Sequence, residues 1–95
     1  MYVGLFKLTE KGASDIKGWP KRVEEAVRTW EAMGGKTIAV LATMGRYDMI
    51  VVGEAPSDEV TATFSAGIAA NGNMTTESLR AFTMDECGAM LAKLP

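Results

Sequence analysis

The sequence predicts an α+β domain whose elements follow the order strand, helix, strand, strand, helix, strand, with one more helix at the end. Two observations lead to this order. Each of two segments with helical spacing of apolar residues stands between segments with strand patterns. Two apolar strands are also joined by only four residues, which makes them an antiparallel hairpin. A chain of 95 residues suits one domain, which we assign to residues 1–95.

The first half of the chain supplies one strand and one main helix. Residues 2–8 alternate in the manner of a strand, and Thr9 is the expected N-cap of a short helical segment. A longer helix is predicted to begin at Pro20, because proline is tolerated in a first helical turn. Gly34 then ends this helix. Its apolar residues recur at helical spacing: Val23, Ala26, Val27, Trp30 and Met33.

The second half supplies the hairpin, a second helix and a last strand. Residues 37–43 and 48–54 form the two apolar strands, and Ser57 is the expected N-cap of the following helix. Gly72 breaks that helix, and residues 74–82 form the last strand. Thr83 then caps a short terminal helix that runs through Leu94.

These elements predict a ferredoxin-like βαββαβ fold, a four-stranded antiparallel sheet with two helices on one face and a C-terminal helix beside it. The hairpin strands are apolar on both faces: Val40 alternates with Leu41, and Val51 with Ile50. Strands of this kind belong where both faces are buried. We therefore expect the uncovered face to pack on the sheet of a second copy, in a homodimer or a higher multiple.

Two motifs carry a family resemblance: Gly-Arg-Tyr-Asp at 45–48, before an apolar strand, and Leu-Arg-Ala-Phe at 79–82. In combination they closely resemble the GYD-domain family, a group of small bacterial and archaeal proteins, over residues 2–86. The resemblance implies a dimeric α/β barrel, in the superfamily of stress-responsive barrel proteins, small antibiotic-biosynthesis monooxygenases and haem-dependent chlorite dismutase relatives. It implies a fold and an assembly but no agreed activity. Trp19 departs from the small or polar residue expected at its position.

Six residues are candidates for ligand binding: Arg46, Tyr47, Asp48, Trp19, Glu77 and Arg80. In the turn, Tyr47 can donate a proton, Asp48 can act as a base and Arg46 can bind an anion. The same residue types equally suit a structural turn, in which glycine supplies a positive φ and the aspartate bonds backbone amides. The sequence leaves both interpretations open.

The remaining candidates lie on the last strand and beside the first proline. Glu77 and Arg80 have an odd separation and therefore face opposite sides of the sheet. Arg80 is expected to form a structural ion pair with Asp48 or Glu54. Trp19 lies outside the helical spacing and is either a lid at a cavity mouth or a structural residue.

Composition excludes several kinds of site. The chain has no histidine, and its one cysteine, Cys87, lies beside Glu86, so we expect neither haem nor zinc and no cofactor. Magnesium at Asp48 or Glu77 stays possible, but no spacing suggests a cage. A net charge of −2 without a basic face argues against nucleic acid. No apolar run is long enough for a membrane span, no signal peptide is visible, and a cytoplasmic location is expected.

Three functions remain in view. The first, which the analogy with the barrel fold favours, is a small-ligand-binding or regulatory barrel protein without catalysis of its own. The second is a cofactor-independent oxygenase, isomerase or cyclase acting on a small activated organic substrate in a dry cavity. The third is a structural assembly subunit. Whether the chain is an enzyme is not decided by its sequence.

Overall fold

The computed structural model describes residues 1–95 and contains one antiparallel sheet with the strand order β2-β3-β1-β4. The strands are β1 (Tyr2–Leu8), β2 (Lys36–Ala42), β3 (Met49–Glu54) and β4 (Met74–Arg80). The helices are α1 (Glu10–Ala13), α2 (Trp19–Ala32), α3 (Asp58–Asn71) and α4 (Met84–Leu91), with a 3-10 turn at Ile16–Gly18. The predicted ferredoxin-like α+β fold, with a terminal helix, is confirmed. No helix is both long and apolar enough to cross a membrane.

The helix boundaries follow from local side-chain and glycine chemistry. The Thr9 hydroxyl accepts a hydrogen bond from the Gly12 amide at the start of α1, and the Ser57 hydroxyl caps α3 in the same way. Gly72 ends α3 with a φ of 75°, a left-handed conformation that glycine adopts at little cost. The predicted N-caps are therefore confirmed.

The differences from the predicted boundaries are small and have physical reasons. Helix α2 begins at Trp19, one residue early, so that Pro20 still lies in the first turn. Strand β4 ends at Arg80 rather than at residue 82, because Arg80 pairs with Tyr2, the first residue of β1. Helix α4 ends at Leu91, three residues before the predicted end.

The strand register divides the sheet into two unlike faces. Gly4 pairs with Val51 and lies under the helices, whereas Leu5 pairs with Ile50 and Glu77 on the other side. We call this second side the open face, because no helix of the chain covers it. In β2 the pairing passes from Thr37 to Ala39, so a bulge interrupts the alternation.

The buried core is small for a chain of this length. Only 7 of 95 residues are buried, and the apolar cluster among them is Phe6, Met49 and Met74, beneath the helices. Half-buried residues pack around this cluster: Leu8, Trp19, Val23, Val40, Val51 and Ile68. On the open face, by contrast, Leu41 is 57% exposed and Leu79 is 43% exposed. The helices therefore cover their face of the sheet incompletely, and space remains between the two layers.

Candidate functional site

A cavity of about 570 Å³ lies between the sheet and helices α2 and α3. This volume is within the range of sites that hold small organic molecules in proteins. Half of the residues around it are hydrophobic, and aromatic side chains come from three elements: Tyr2 and Phe6 from β1, Trp19 and Trp30 from α2, and Phe64 from α3. The cavity is therefore largely apolar and is walled by rings.

Glycines at the floor of the cavity allow aromatic rings to pack directly on the backbone. Gly4 and Gly53 lie on the helix-facing side of the two central strands, where a Cβ would lie 2.5 Å from the Phe6 ring and 3.3 Å from the Trp30 ring, respectively. A Cβ at Gly35 would lie 2.3 Å from the Trp30 ring, so that ring is seated directly on backbone. The Trp30 ring also meets Phe64 edge to face, with 5.1 Å between centroids, and thus joins α2 to α3 at one end.

The cavity contains polar groups that the protein leaves without partners. Five buried side-chain atoms have no hydrogen-bond partner: Trp19 Nε1, Trp30 Nε1, Thr37 Oγ1, Thr61 Oγ1 and Thr76 Oγ1. The first four of these residues line the cavity. A buried polar group without a partner costs about 1–3 kcal/mol, and proteins contain few of them. Several in one cavity indicate that something other than the protein accepts or donates these bonds.

Of the six residues predicted from the sequence, Trp19 alone lines this cavity. It is the first residue of α2, is half-buried, and packs against the cluster formed by Phe6, Met49 and Met74. Its ring is therefore part of the cavity wall, with the indole N–H unpartnered. The helical spacing that includes Trp30 predicts a buried side chain, and Trp30 is 7% exposed, but no sequence pattern predicts that its N–H has no partner.

Arg46, Tyr47 and Glu77 come together on the other side of the sheet. The Tyr47 hydroxyl donates a 2.8 Å hydrogen bond to Glu77 Oε2, and the Arg46 guanidinium carbon lies 5.9 Å from the centroid of the Tyr47 ring. The hydrogen bond to Glu77, with a smaller contribution from desolvation, raises the pKa of the Tyr47 phenol. This polar cluster therefore borders the open face and not the cavity.

Asp48 is held by backbone contacts. Its carboxylate accepts a 2.7 Å hydrogen bond from the Leu8 amide, and its own amide donates a 2.8 Å bond to the Phe6 carbonyl. The turn before it contains Gly45, whose φ is 99°, in the left-handed region that favours glycine. Asp48 thus connects the end of β1 to the start of β3 through hydrogen bonds. This agrees with a structural turn, in which the aspartate bonds backbone amides.

The expected ion pair of Arg80 with Asp48 or Glu54 is wrong. Arg80 Nε lies 3.8 Å from Asp58 Oδ1 at the start of α3, because Arg80 is on the helix-facing side of an edge strand, away from both predicted partners. Its guanidinium also lies over the Phe82 ring, 4.7 Å from the centroid. The predicted opposite placement of Glu77 and Arg80 on the sheet agrees with the register.

Tyr2 links this second polar cluster to the edge of the cavity. Its hydroxyl donates a hydrogen bond to Asp58, and this bond, followed by desolvation, raises the pKa of the Tyr2 phenol. The group is exposed, so the ion pair between Arg80 and Asp58 contributes little to stability. No three His, Cys, Asp or Glu side chains come together in a group that could hold a metal ion.

Comparison with known proteins identifies the family. The sequence profile of the GYD domain matches residues 2–91, which is nearly the whole chain. A search of the curated proteins and a search of the solved structures each found no match. The chain belongs to the GYD-domain family, as the motifs at 45–48 and 79–82 predict.

Proposed function

Starting from membership of the GYD-domain family, we propose that this chain binds a small organic molecule in the cavity between its sheet and helices α2 and α3. The family name assigns no ligand, so the proposal rests on the cavity. One observation carries it, namely that an apolar cavity of about 570 Å³ contains buried polar groups without partners. Binding sites in proteins have this composition, mostly apolar with a few convergent polar groups.

The unpartnered groups define the chemistry of the ligand. The indole N–H groups of Trp19 and Trp30 can only donate, so the ligand should present acceptor oxygens to them. Arg22 is the one basic residue at the cavity, and it is already bonded to the Asp15 carboxylate and to the Gly12 carbonyl. An uncharged aromatic or alicyclic molecule with carbonyl or ether oxygens fits these features best.

Binding without catalysis is the simpler function for this geometry. Arg46, Tyr47 and Asp48 lie outside the cavity lining, and the Asp48 carboxylate is occupied by the Leu8 amide. A proton-transfer group must come within hydrogen-bond reach of its substrate. The acid–base residues predicted in the 45–48 turn are thus separated from the space that would hold the substrate, which supports a binding or regulatory role.

The functional unit that we propose is a homodimer joined through the open faces. Leu41 and Leu79 are 57% and 43% exposed, and they share this face with the half-buried Val3, Leu5 and Ile50. Two such faces packed together would remove these side chains from water, as in other sheet-on-sheet packings. Light scattering at micromolar concentration should therefore give twice the mass of one chain, whereas a single-chain mass would refute the dimer.

A pair of probes with one skeleton tests the ligand chemistry. We would titrate the protein by calorimetry with 2-acetylnaphthalene, which offers a carbonyl acceptor, and with 2-ethylnaphthalene, which offers none. The ketone should bind about 2- to 10-fold more tightly, the value of one net hydrogen bond. Trp19→Phe and Trp30→Phe each remove one donor, and one of them should abolish the preference for the ketone.

Thr75→Val is the matched control, because Thr75 is exposed on the other side of the sheet and should leave both affinities unchanged. Failure of the ketone to bind, or an equal affinity for the two probes, would refute the proposed ligand chemistry.

A further inference from the structure

Helix α4 is well defined locally but has almost no support from its own chain. Thr83 and Glu86 form a reciprocal capping box at its start, in which each side chain accepts a hydrogen bond from the other residue's amide. None of its eight residues is buried. Isolated helices of fewer than about 12 residues are marginal in water, so a helix of this length needs a surface to pack on.

The helix carries an apolar stripe that is mostly exposed, with only Cys87 of its residues half-buried. Met84 is 81% exposed, Leu91 is 57% exposed, and Leu94 just beyond the helix is 68% exposed. Met84 and Leu91 are two helical turns apart, and Cys87 lies between them on the same side. The opposite side carries acidic and small residues, including Asp85 and Ala89. An amphipathic helix of this kind buries its apolar stripe against a partner.

The accessible surface area of the chain indicates how much surface a partner could bury. The accessible surface is 6399 Å², whereas a compact monomer of 10.2 kDa exposes about 5,300 Å². The difference, about 1,100 Å², exceeds the roughly 800 Å² that each partner buries in a stable protein–protein interface. The walls of the cavity account for only part of it. The chain is therefore as extended as one half of a dimer, with a longest dimension of 53 Å.

We propose that α4 docks on a second copy of this chain, along the edge of that copy's open face formed by β2. Ile38 and Leu41 of β2 are the most exposed aliphatic side chains of the sheet, at 51% and 57%. Lys36, at the start of β2, complements the acidic first turn of α4, which contains Asp85 and Glu86. The helix extends from β4 and therefore from the edge of its own sheet opposite to β2.

Symmetry brings these two surfaces together. A two-fold axis that runs along the strand direction between two stacked sheets puts the β4 edge of one copy over the β2 edge of the other. Each α4 then meets the partner's β2, twice in the dimer. This inference rests on the dimer that we propose but not on the ligand in the cavity.

Cross-linking between two proteins with one cysteine each tests the docking. Wild type has only Cys87, and the double variant Leu41→Cys, Cys87→Ser has a cysteine only in β2. After the two are mixed and treated with bis-maleimidoethane, the proposal predicts a product that joins the tryptic peptides 81–93 and 37–46. The link is necessarily between chains, since neither protein can form it alone. The double variant Ser14→Cys, Cys87→Ser is the matched control and should give no such product.

A second measurement uses the stripe itself. Leu91→Ser should weaken the dimer about 10-fold or more in sedimentation, because it removes a buried leucine at two equivalent contacts. Ala89→Ser, on the opposite side of α4, should leave the dissociation constant unchanged. A dimer that persists without the 41–87 link and is unaffected by Leu91→Ser would refute the docking of α4 while leaving the sheet interface intact. A monomeric wild type would refute both.

Discussion

The two faces of the sheet differ in what the chain fails to supply: hydrogen-bond partners on one face and apolar contacts on the other. On the helix-facing side, apolar side chains are enclosed, but the indole N–H groups of Trp19 and Trp30 have no partner. On the open face the Tyr47 hydroxyl and the Glu77 carboxylate are hydrogen-bonded to each other, but Leu41 remains 57% exposed. One side lacks hydrogen-bond acceptors and the other lacks apolar cover.

This contrast separates two kinds of occupant. A space of about 570 Å³ with directional donors fits a small molecule, because a protein segment would need many backbone hydrogen-bond partners. A wide, flat, apolar sheet surface fits another protein surface, because no small molecule covers it. The same sheet can therefore serve ligand binding with one face and assembly with the other.

The largest expected effect comes from a comparison of two neighbouring residues of β2, one on each face of the sheet. Val40 lies against the buried cluster, and Leu41 lies on the open face. Val40→Asp should lower the free energy of unfolding by about 2 kcal/mol or more, since it puts an unpaired charge among half-buried apolar side chains. Leu41→Asp should give a folded protein, by circular dichroism, with the mass of one chain. If both variants unfold, or if both remain dimeric, the two faces do not differ as described.

A smaller test concerns the two polar residues of the 45–48 turn. Asp48→Ala removes the acceptor of the half-buried Leu8 amide and should cost about 1–3 kcal/mol in urea denaturation. Tyr47→Phe breaks an exposed hydrogen bond and should cost less than about 0.5 kcal/mol. Equal costs would show that the turn acts as one structural unit rather than as an anchor with an exposed neighbour.

Substitution of two helical glycines by alanine compares helix α3, at the cavity, with helix α4 through smaller changes in stability. A Cβ at Gly67 in α3 or at Gly88 in α4 would meet no atom within 4 Å. Alanine favours a helix interior by about 0.5–1 kcal/mol over glycine, so Gly67→Ala should raise the melting temperature. Gly88→Ala should instead increase the helical signal of α4, with little change in the melting of the sheet. A loss of stability in Gly67→Ala would mean that this part of the cavity is closed.

The smallest effect is a titration that distinguishes the two tyrosines. Hydrogen bonds to carboxylates raise both phenol pKa values above 10, Tyr47 through Glu77 and Tyr2 through Asp58. Each bond therefore stabilises the fold fully below pH 10 and is lost as the pH rises through the raised pKa. Glu77→Ala should return the pKa of one phenol toward its ordinary value, followed by phenolate absorbance. A variant in which both phenols still titrate as in wild type would contradict the Tyr47–Glu77 bond.

Much of the fold could be predicted because local chemistry determines it. Thr9 and Ser57 predicted the starts of two helices, and the short 45–48 turn predicted the hairpin. The site could be predicted only in part. The partner of Arg80 depends on where α3 begins relative to β1, since Asp58 and Arg80 are distant in sequence and meet only in the assembled fold. No local pattern encodes such a contact.

The cavity itself escaped prediction for a related reason. Apolar residues at helical spacing predict that α2 packs on the sheet but not how closely it approaches. The distance depends on glycines at Gly4, Gly35 and Gly53, which come together from separate strands and a loop. Unpartnered N–H groups are likewise visible only in three dimensions. Sequence patterns indicate which side of a helix or strand is apolar. The empty space between the sheet and the helices is a property of the assembled fold.

The small buried core has a consequence for the turnover of this protein. With 7 of 95 residues buried, the isolated chain has little apolar burial to offset its conformational entropy. Any molecule that binds only the folded form shifts the equilibrium toward it, by about 2.7 kcal/mol at a hundredfold excess over its dissociation constant. Proteases act on the unfolded fraction. With the proposed ligand and dimer, the cellular lifetime of the chain should therefore follow the supply of ligand and of partner copies, so that protein made in excess of either is removed.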